Sequence, residues 1–188
     1  MTPIQSLAAK ARKARVQTKP PIAIEDIAAL ENAAGVKLPD EYRDFLSHVA
    51  NGGTSPCRLV PLAHWDHSYW IDCANPLMIA VPSIITPEAE SHGEAWLDRA
   101  APADWSNRWD NNEWDPMFGT IAVAEIGCGL FFSLIVTGEH RGRVFSWGDH
   151  ALNPPIFCEE SSFTRWIEGC FDQIIAGHPV HFLDGRIR

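Results

Sequence analysis

What this sequence lacks is as informative as what it holds. It has no apolar run near the ~20 residues that cross a bilayer; the longest, Leu130–Val136, is strand-sized. Residues 1–16 lack the apolar core of a secretory signal, so a cytoplasmic location is expected. The five cysteines, at 57, 73, 128, 158 and 170, are odd in number and never spaced C-x-x-C. They read as buried or free thiols of a reducing compartment, not as a disulfide framework. No phosphate loop, G-x-G-x-x-G, G-x-S-x-G or H-E-x-x-H occurs, so no catalytic chemistry is signposted and no cofactor is implied. Basic residues are scarce beyond the start of the chain. Residues 1–19 hold five (Lys10, Arg12, Lys13, Arg15, Lys19) and no acid, whereas residues 20–188 carry 10 basic and 24 acidic residues, a net of −14. A body of that sign repels phosphate backbones, which argues against a nucleic-acid partner. It steers basic proteins towards itself instead.

The 188 residues, 46% of them hydrophobic, suffice for one domain with a real core. Residues 1–22 read as a basic, partly disordered tail. Ala8–Val16 could form a short basic helix, but its apolar face is only alanine and valine, and Lys19-Pro20-Pro21 then breaks it. The domain proper is expected over 23–188. Its first helix spans about Ile24–Ala34, with Ile24, Ile27, Leu30 and Ala34 on one face and Gly35 as the left-handed cap. A second begins at Pro39, with Asp40 and Glu41 at the positive end of its dipole. Tyr42, Phe45, Leu46 and Val49 form its stripe, and Asn51-Gly52-Gly53 stops it. The period then changes. Cys57–Leu62, Tyr69–Ile71, Leu77–Val81, Thr120–Ala124, Leu130–Val136 and Val144–Trp147 read as strands, with a hairpin loop at 138–142. A last helix, capped by Ser161 or Ser162, carries Phe163, Trp166, Ile167, Cys170, Phe171 and Ile174 on one stripe and ends at Gly177. Helices at both ends of a strand block, with no βαβ rhythm, predict an α+β fold with a small, mainly antiparallel sheet.

An unusual insert lies at about 86–116. It holds Trp96, Trp105, Trp109 and Trp114, with eight acids against Arg99 and Arg108, a net of −6. Thr86-Pro87-Glu88 can start a helix reaching Trp96, and Asp104–Asp115 reads as an irregular loop. Tryptophan is over-represented at binding hot spots, and surrounding acids attract a basic partner. Trp105, Trp109, Asp110, Glu113, Trp114 and Asp115 are therefore the candidate partner-binding residues. The competing expectation is that these tryptophans pack inward as a lid on the sheet while the acids face water. Two further constellations are weaker. His64-Trp65-Asp66-His67 gathers possible metal ligands but lacks the further ligand a zinc site needs, so no metal is expected. Gly127-Cys128-Gly129 could present a thiol, yet nothing in sequence supplies the base a nucleophile requires, and a turn or bulge accounts for the glycines.

Ile24-Glu25, Leu30-Glu31, Gly35-Val36-Lys37-Leu38-Pro39-Asp40-Glu41-Tyr42-Arg43-Asp44-Phe45-Leu46 and Asn51-Gly52-Gly53 follow one another in an order that resembles the N-terminal signature of the SUKH superfamily. These are bacterial relatives of a yeast cell-wall assembly regulator. Phe118–Val136, Gly142–His150 and Ser162–Ile167 resemble its later strands and final helix. The resemblance implies an α+β fold of helices packed on a small sheet, without catalysis. It implies a protein-binding role, with Asn51 bordering a cleft. Many such domains are immunity proteins that occlude a polymorphic toxin, often a nuclease; others are peptide-binding or scaffolding modules. A basic toxin domain is thus the expected partner, with no membrane or nucleic acid involved.

Overall fold

The computed structural model describes residues 2–54, 58–62, 76–111, 113–127, 129–148 and 154–178. Its centre is an antiparallel sheet of β1 (Arg58–Leu59), β2 (Thr120–Gly127), β3 (Leu130–Ile135), β4 (Val144–Gly148) and β5 (Ile156–Phe157), ordered β1-β2-β3-β4-β5. β3 reads Leu-Phe-Phe-Ser-Leu-Ile and is buried at all but its first residue. Such a continuous apolar run marks a strand covered on both faces. Alternation then sorts its side chains. Phe132 and Leu134 enter one core, and Phe131 and Ile135 the other. β4 follows the same register: Val144, opposite Leu134, joins the first core, and Phe145 and Trp147 the second. The glycines around 127–129 sit at an irregularity between Glu125 and Gly127, where β2 turns into β3.

The first core lies under four helices. α1 spans Pro3–Ala14, α2 Ile24–Ala34 and α3 Asp40–His48, and α6 spans Phe163–Ile175. The stripes expected for α3 and α6 are the buried ones: Tyr42, Phe45 and Leu46, and Phe163, Trp166, Ile167, Cys170 and Phe171. Phe163 meets Tyr42 and Phe45 edge-on, at 4.9 and 5.2 Å between ring centroids. Pro39 caps α3 rather than opening it, a shift of one residue. One buried carboxylate fixes the α2–α3 turn. Glu31 accepts the Leu38 amide at 2.9 Å and pairs with Lys37 Nζ at 2.9 Å. The oxygen that accepts the Leu38 amide, Oε1, also lies 2.8 Å from Arg43 Nε, an ion pair without hydrogen-bond alignment. Glu41 at the start of α3 accepts the Thr164 amide at 2.8 Å and so caps α6. Partial burial works to raise its pKa, but hydrogen bonds from Thr164 and Ser162 outweigh that, and the carboxyl ends below its ordinary value.

Residues 3–14, expected as part of a solvated tail, form a packed helix instead. Ile4, Leu7, Ala11 and Ala14 share one face, with Leu7 and Ala11 fully in the core. Thr2 and Gln5 close a reciprocal capping box at its start. Residues 17–20 then run beside the Asn51–Thr54 turn. Thr18 bridges Gly53, which in turn bridges Leu59 of β1. A side chain at Gly53 would strike the Gln17 carbonyl and Thr18 Cα, so only glycine permits this approach.

Residues 84–118 cover the sheet's second face, and the segment before them, Pro76–Ala80, packs beside α2. Leu77–Val81, expected as a strand, lies in a 3₁₀ turn over Pro76–Ala80 and its exit. Its carbonyls are answered elsewhere: Thr137 Oγ1 donates to Ile79 O and Val81 O, and Gly119 N donates to Met78 O. Gly119 comes so close that a Cβ would collide with the Val81 and Ser83 backbone. The helix expected from Thr86 to Trp96 is a 3₁₀ segment, Pro87–Ala95, kinked at Gly93. α4 (Trp96–Ala100) follows, and the expected loop at 104–115 contains α5 (Trp105–Asp110). The expected strand Tyr69–Ile71 lies outside the described residues, while β5 is an additional strand.

Candidate partner-binding surface

The insert makes its own core against the sheet. Ile85, Ala89, Trp96, Leu97, Trp114 and Met117 pack on Phe131, Ile135, Phe145 and Trp147. Trp147 stacks on Phe131 at 5.4 Å and donates its indole N–H to Ser133 Oγ at 2.8 Å. Trp96 and Trp114 are thus interior residues, 1% and 7% exposed. Trp105 and Trp109 differ. They lie four apart on α5, which puts them on one side of the helix. They rest on the second core half-buried, their rings 5.9 Å apart, with Trp105 also 6.4 Å from Trp114. Asp98 Oδ1 accepts the Trp105 indole N–H at 3.2 Å and holds the ring in place.

Acids flank this pair along the chain. Asp98, Asp104, Asp110 and Glu113 are exposed, and Arg108 is half-buried. Asp115 is half-buried, and its Oδ1 accepts the Met117 amide at 2.7 Å. Burial pushes its carboxyl up to about 6, against the lowering effect of that one hydrogen bond. Of the six insert residues singled out from sequence, Asp110 and Glu113 are exposed and Trp105 and Trp109 half-buried, while Trp114 is interior and Asp115 half-buried beside Met117. Asn51 is elsewhere and engaged within the fold. Its Oδ1 accepts the Leu62 amide at 2.7 Å, and its backbone amide donates to Pro20 O. Asp98, which holds the Trp105 indole, had no spacing signal to mark it.

Burial, with Glu160 nearby, pushes the Cys158 thiol well above its ordinary range, which makes it a poor nucleophile. Among the described residues no three His, Cys, Asp or Glu side chains gather as a metal site. Both His64–His67 and Cys128 lie outside those residues. No helix among the described residues is long and apolar enough to cross a membrane. Proline pairs lie at both margins of the sheet: Pro20-Pro21 follows the outermost bridge at Thr18, and Pro154-Pro155 precedes β5. Proline cannot donate to a ladder and so discourages strand addition.

The sequence pattern of the SMI1 / KNR4 family (SUKH-1) matches residues 21–169, which takes in α2, α3, the whole sheet, the insert and the first half of α6. No curated protein matches the chain.

Proposed function

This chain belongs to the SMI1 / KNR4 family (SUKH-1), and from that premise we propose that it is a non-enzymatic protein-binding domain of the immunity type. It works by occlusion: its acidic tryptophan face covers a basic toxin domain, a nuclease being the kind whose phosphate-binding surface has the matching charge. One observation carries the reading. Trp105 and Trp109 are held half-buried on a core packed by Trp96 and Trp114, with Asp98 pinning the Trp105 indole. Aromatic anchors fixed before binding lose little entropy when a partner arrives. Their rim of Asp98, Asp104, Asp110 and Glu113 accelerates encounter with a basic surface and makes it sensitive to salt. The guarded sheet edges favour this face over strand addition as the route of recognition.

The test is affinity capture of the tagged protein at low and high salt, with the Trp109→Ala/Asp110→Lys variant beside the wild type. A single basic partner held at low salt, lost at high salt and lost by the variant supports the reading. Capture unaffected by the variant would remove this face from recognition. Several neutral partners would favour a peptide-binding or scaffolding role.

A further inference from the structure

α1 stands outside the family match, which begins at residue 21. Its apolar residues Ile4, Leu7, Ala11 and Ala14 are spaced three, four and three apart, the seam of a helix that packs along another helix. It lies against both α6 and α3, which also pack on each other. Lys10 Nζ sits between Glu168 Oε1 at 2.8 Å and Asp172 Oδ2 at 2.7 Å, both on α6. Arg12 and Lys13 point to solvent. Among the described residues, α1 makes no backbone hydrogen bond to any other element.

The chain just beyond it is held quite differently. Gln17 O accepts from Thr54 N, Lys19 N donates to Gly52 O, Pro20 O accepts from Asn51 N, and Ile22 N donates to Leu46 O. Between the two regimes stands Arg15. It adopts the left-handed conformation, φ 52°, and is the only non-glycine residue at positive φ among those described. An L-residue there is strained unless its surroundings hold it. Arg15 is the C-cap of α1, its amide donating to Ala11 O and Arg12 O, so a helix attached through side chains meets a zippered arm at one left-handed joint.

The geometry points to α1 as a latch hinged at Arg15, filling a helix-accepting groove between α3 and α6. The occupant that groove takes from a second protein is an amphipathic helix of the same chemistry: an apolar three-four-three seam with a lysine placed to reach Glu168 and Asp172. This inference is independent of the tryptophan face.

Native-state hydrogen exchange on the full chain is the first test. Amides of α1 should exchange about tenfold or more faster than those of α3 and α6, because the latch opens without them. Exchange of α1 and α6 in one shared opening overturns the proposal. The second test uses Leu7→Asp in the full chain, which opens the groove, and a fluorescent peptide of residues 2–16 as probe. Saturable binding to the variant is expected, about tenfold weaker to the wild type whose groove is filled. It should be weaker still to Arg15→Gly, whose joint holds the docked latch without strain. A Lys10→Glu peptide should lose binding and regain it on a Glu168→Lys/Asp172→Lys protein. No binding to a Leu7→Asp protein that retains α6 protection sinks the groove. If that variant does not fold, the exchange result on the wild type decides.

Discussion

The two faces of the sheet are covered by different kinds of structure. On one, four helices present regular apolar stripes, and charged groups tie their ends together: Glu31 across the α2–α3 turn, Glu41 over the start of α6, Lys10 between α1 and α6. On the other, short 3₁₀ and helical turns are held by aromatic packing, with α4 and α5 only five and six residues long. Helices that short do not persist alone in water. The helix layer is therefore specified by its own periodicity and completed by packing. The lid exists only because the sheet gives its tryptophans somewhere to go. A binding surface built on such a lid is positioned by its buried half and free to vary on its outer half.

If the helix layer is the frame, breaking its polar ties should unfold everything. Glu31→Ala leaves Arg43 and the Leu38 amide without the carboxylate that answers them in a buried turn. Lys37 is exposed and Arg43 partly so, and both keep water; the loss is chiefly the unmet Leu38 amide and the untied turn, about 1–3 kcal/mol. Urea unfolding followed by far-ultraviolet circular dichroism should show one cooperative transition at lower denaturant, with lid and helices lost together. Two separated transitions would mean that the lid and its sheet face survive without the frame.

The lid's polar support is weaker and should respond to pH instead. Asp115 titrates near 6 in the folded chain, against 3.8 for an ordinary aspartate. The folded state therefore holds this proton more firmly than the unfolded state between about pH 4 and 6. Stability falls as pH rises through that window and stays lowered above it. Asn keeps the oxygen that accepts the Met117 amide but carries no charge. Asp115→Asn should thus be more stable than wild type at pH 7 by roughly 2 kcal/mol, and equal to it near pH 4. Thermal melts of both proteins at the two pH values check this. An unchanged difference across the window would mean the carboxylate finds solvent or a cation when it ionises.

The same contrast explains what could be read from sequence. α3, α6 and β3 were legible because stripe or run length alone identifies them. α1 was missed for a specific reason. Read from Ala8, the segment shows only alanine and valine, but read from Pro3 it shows Ile4, Leu7, Ala11 and Ala14, with Thr2 and Gln5 as an available start signal. Leu77–Val81 is apolar enough for a strand, and what decides otherwise is Thr137, far along the chain, taking two of its carbonyls. In the candidate site, composition drew notice to four tryptophans, but spacing could not sort Trp96 and Trp114 from Trp105 and Trp109. That division depends on which rings meet Phe131 and Trp147 across the sheet.

The smallest stability effect offers the sharpest division within the lid. Trp114 is buried against the sheet, and its removal leaves a cavity, so Trp114→Ala should cost about 3–5 kcal/mol. Trp109 packs on the second core but keeps part of its ring at the surface, so its loss opens no enclosed void. Trp109→Ala should cost about 1 kcal/mol or less, within reach of a urea titration with both variants side by side. A ring kept at that position for so little structural return is one whose exposed side is available to a partner. Equal costs for the two variants would make α5 a buried brace like the rest of the lid. The acids at its rim would then be solvating charges rather than the border of a recognition surface.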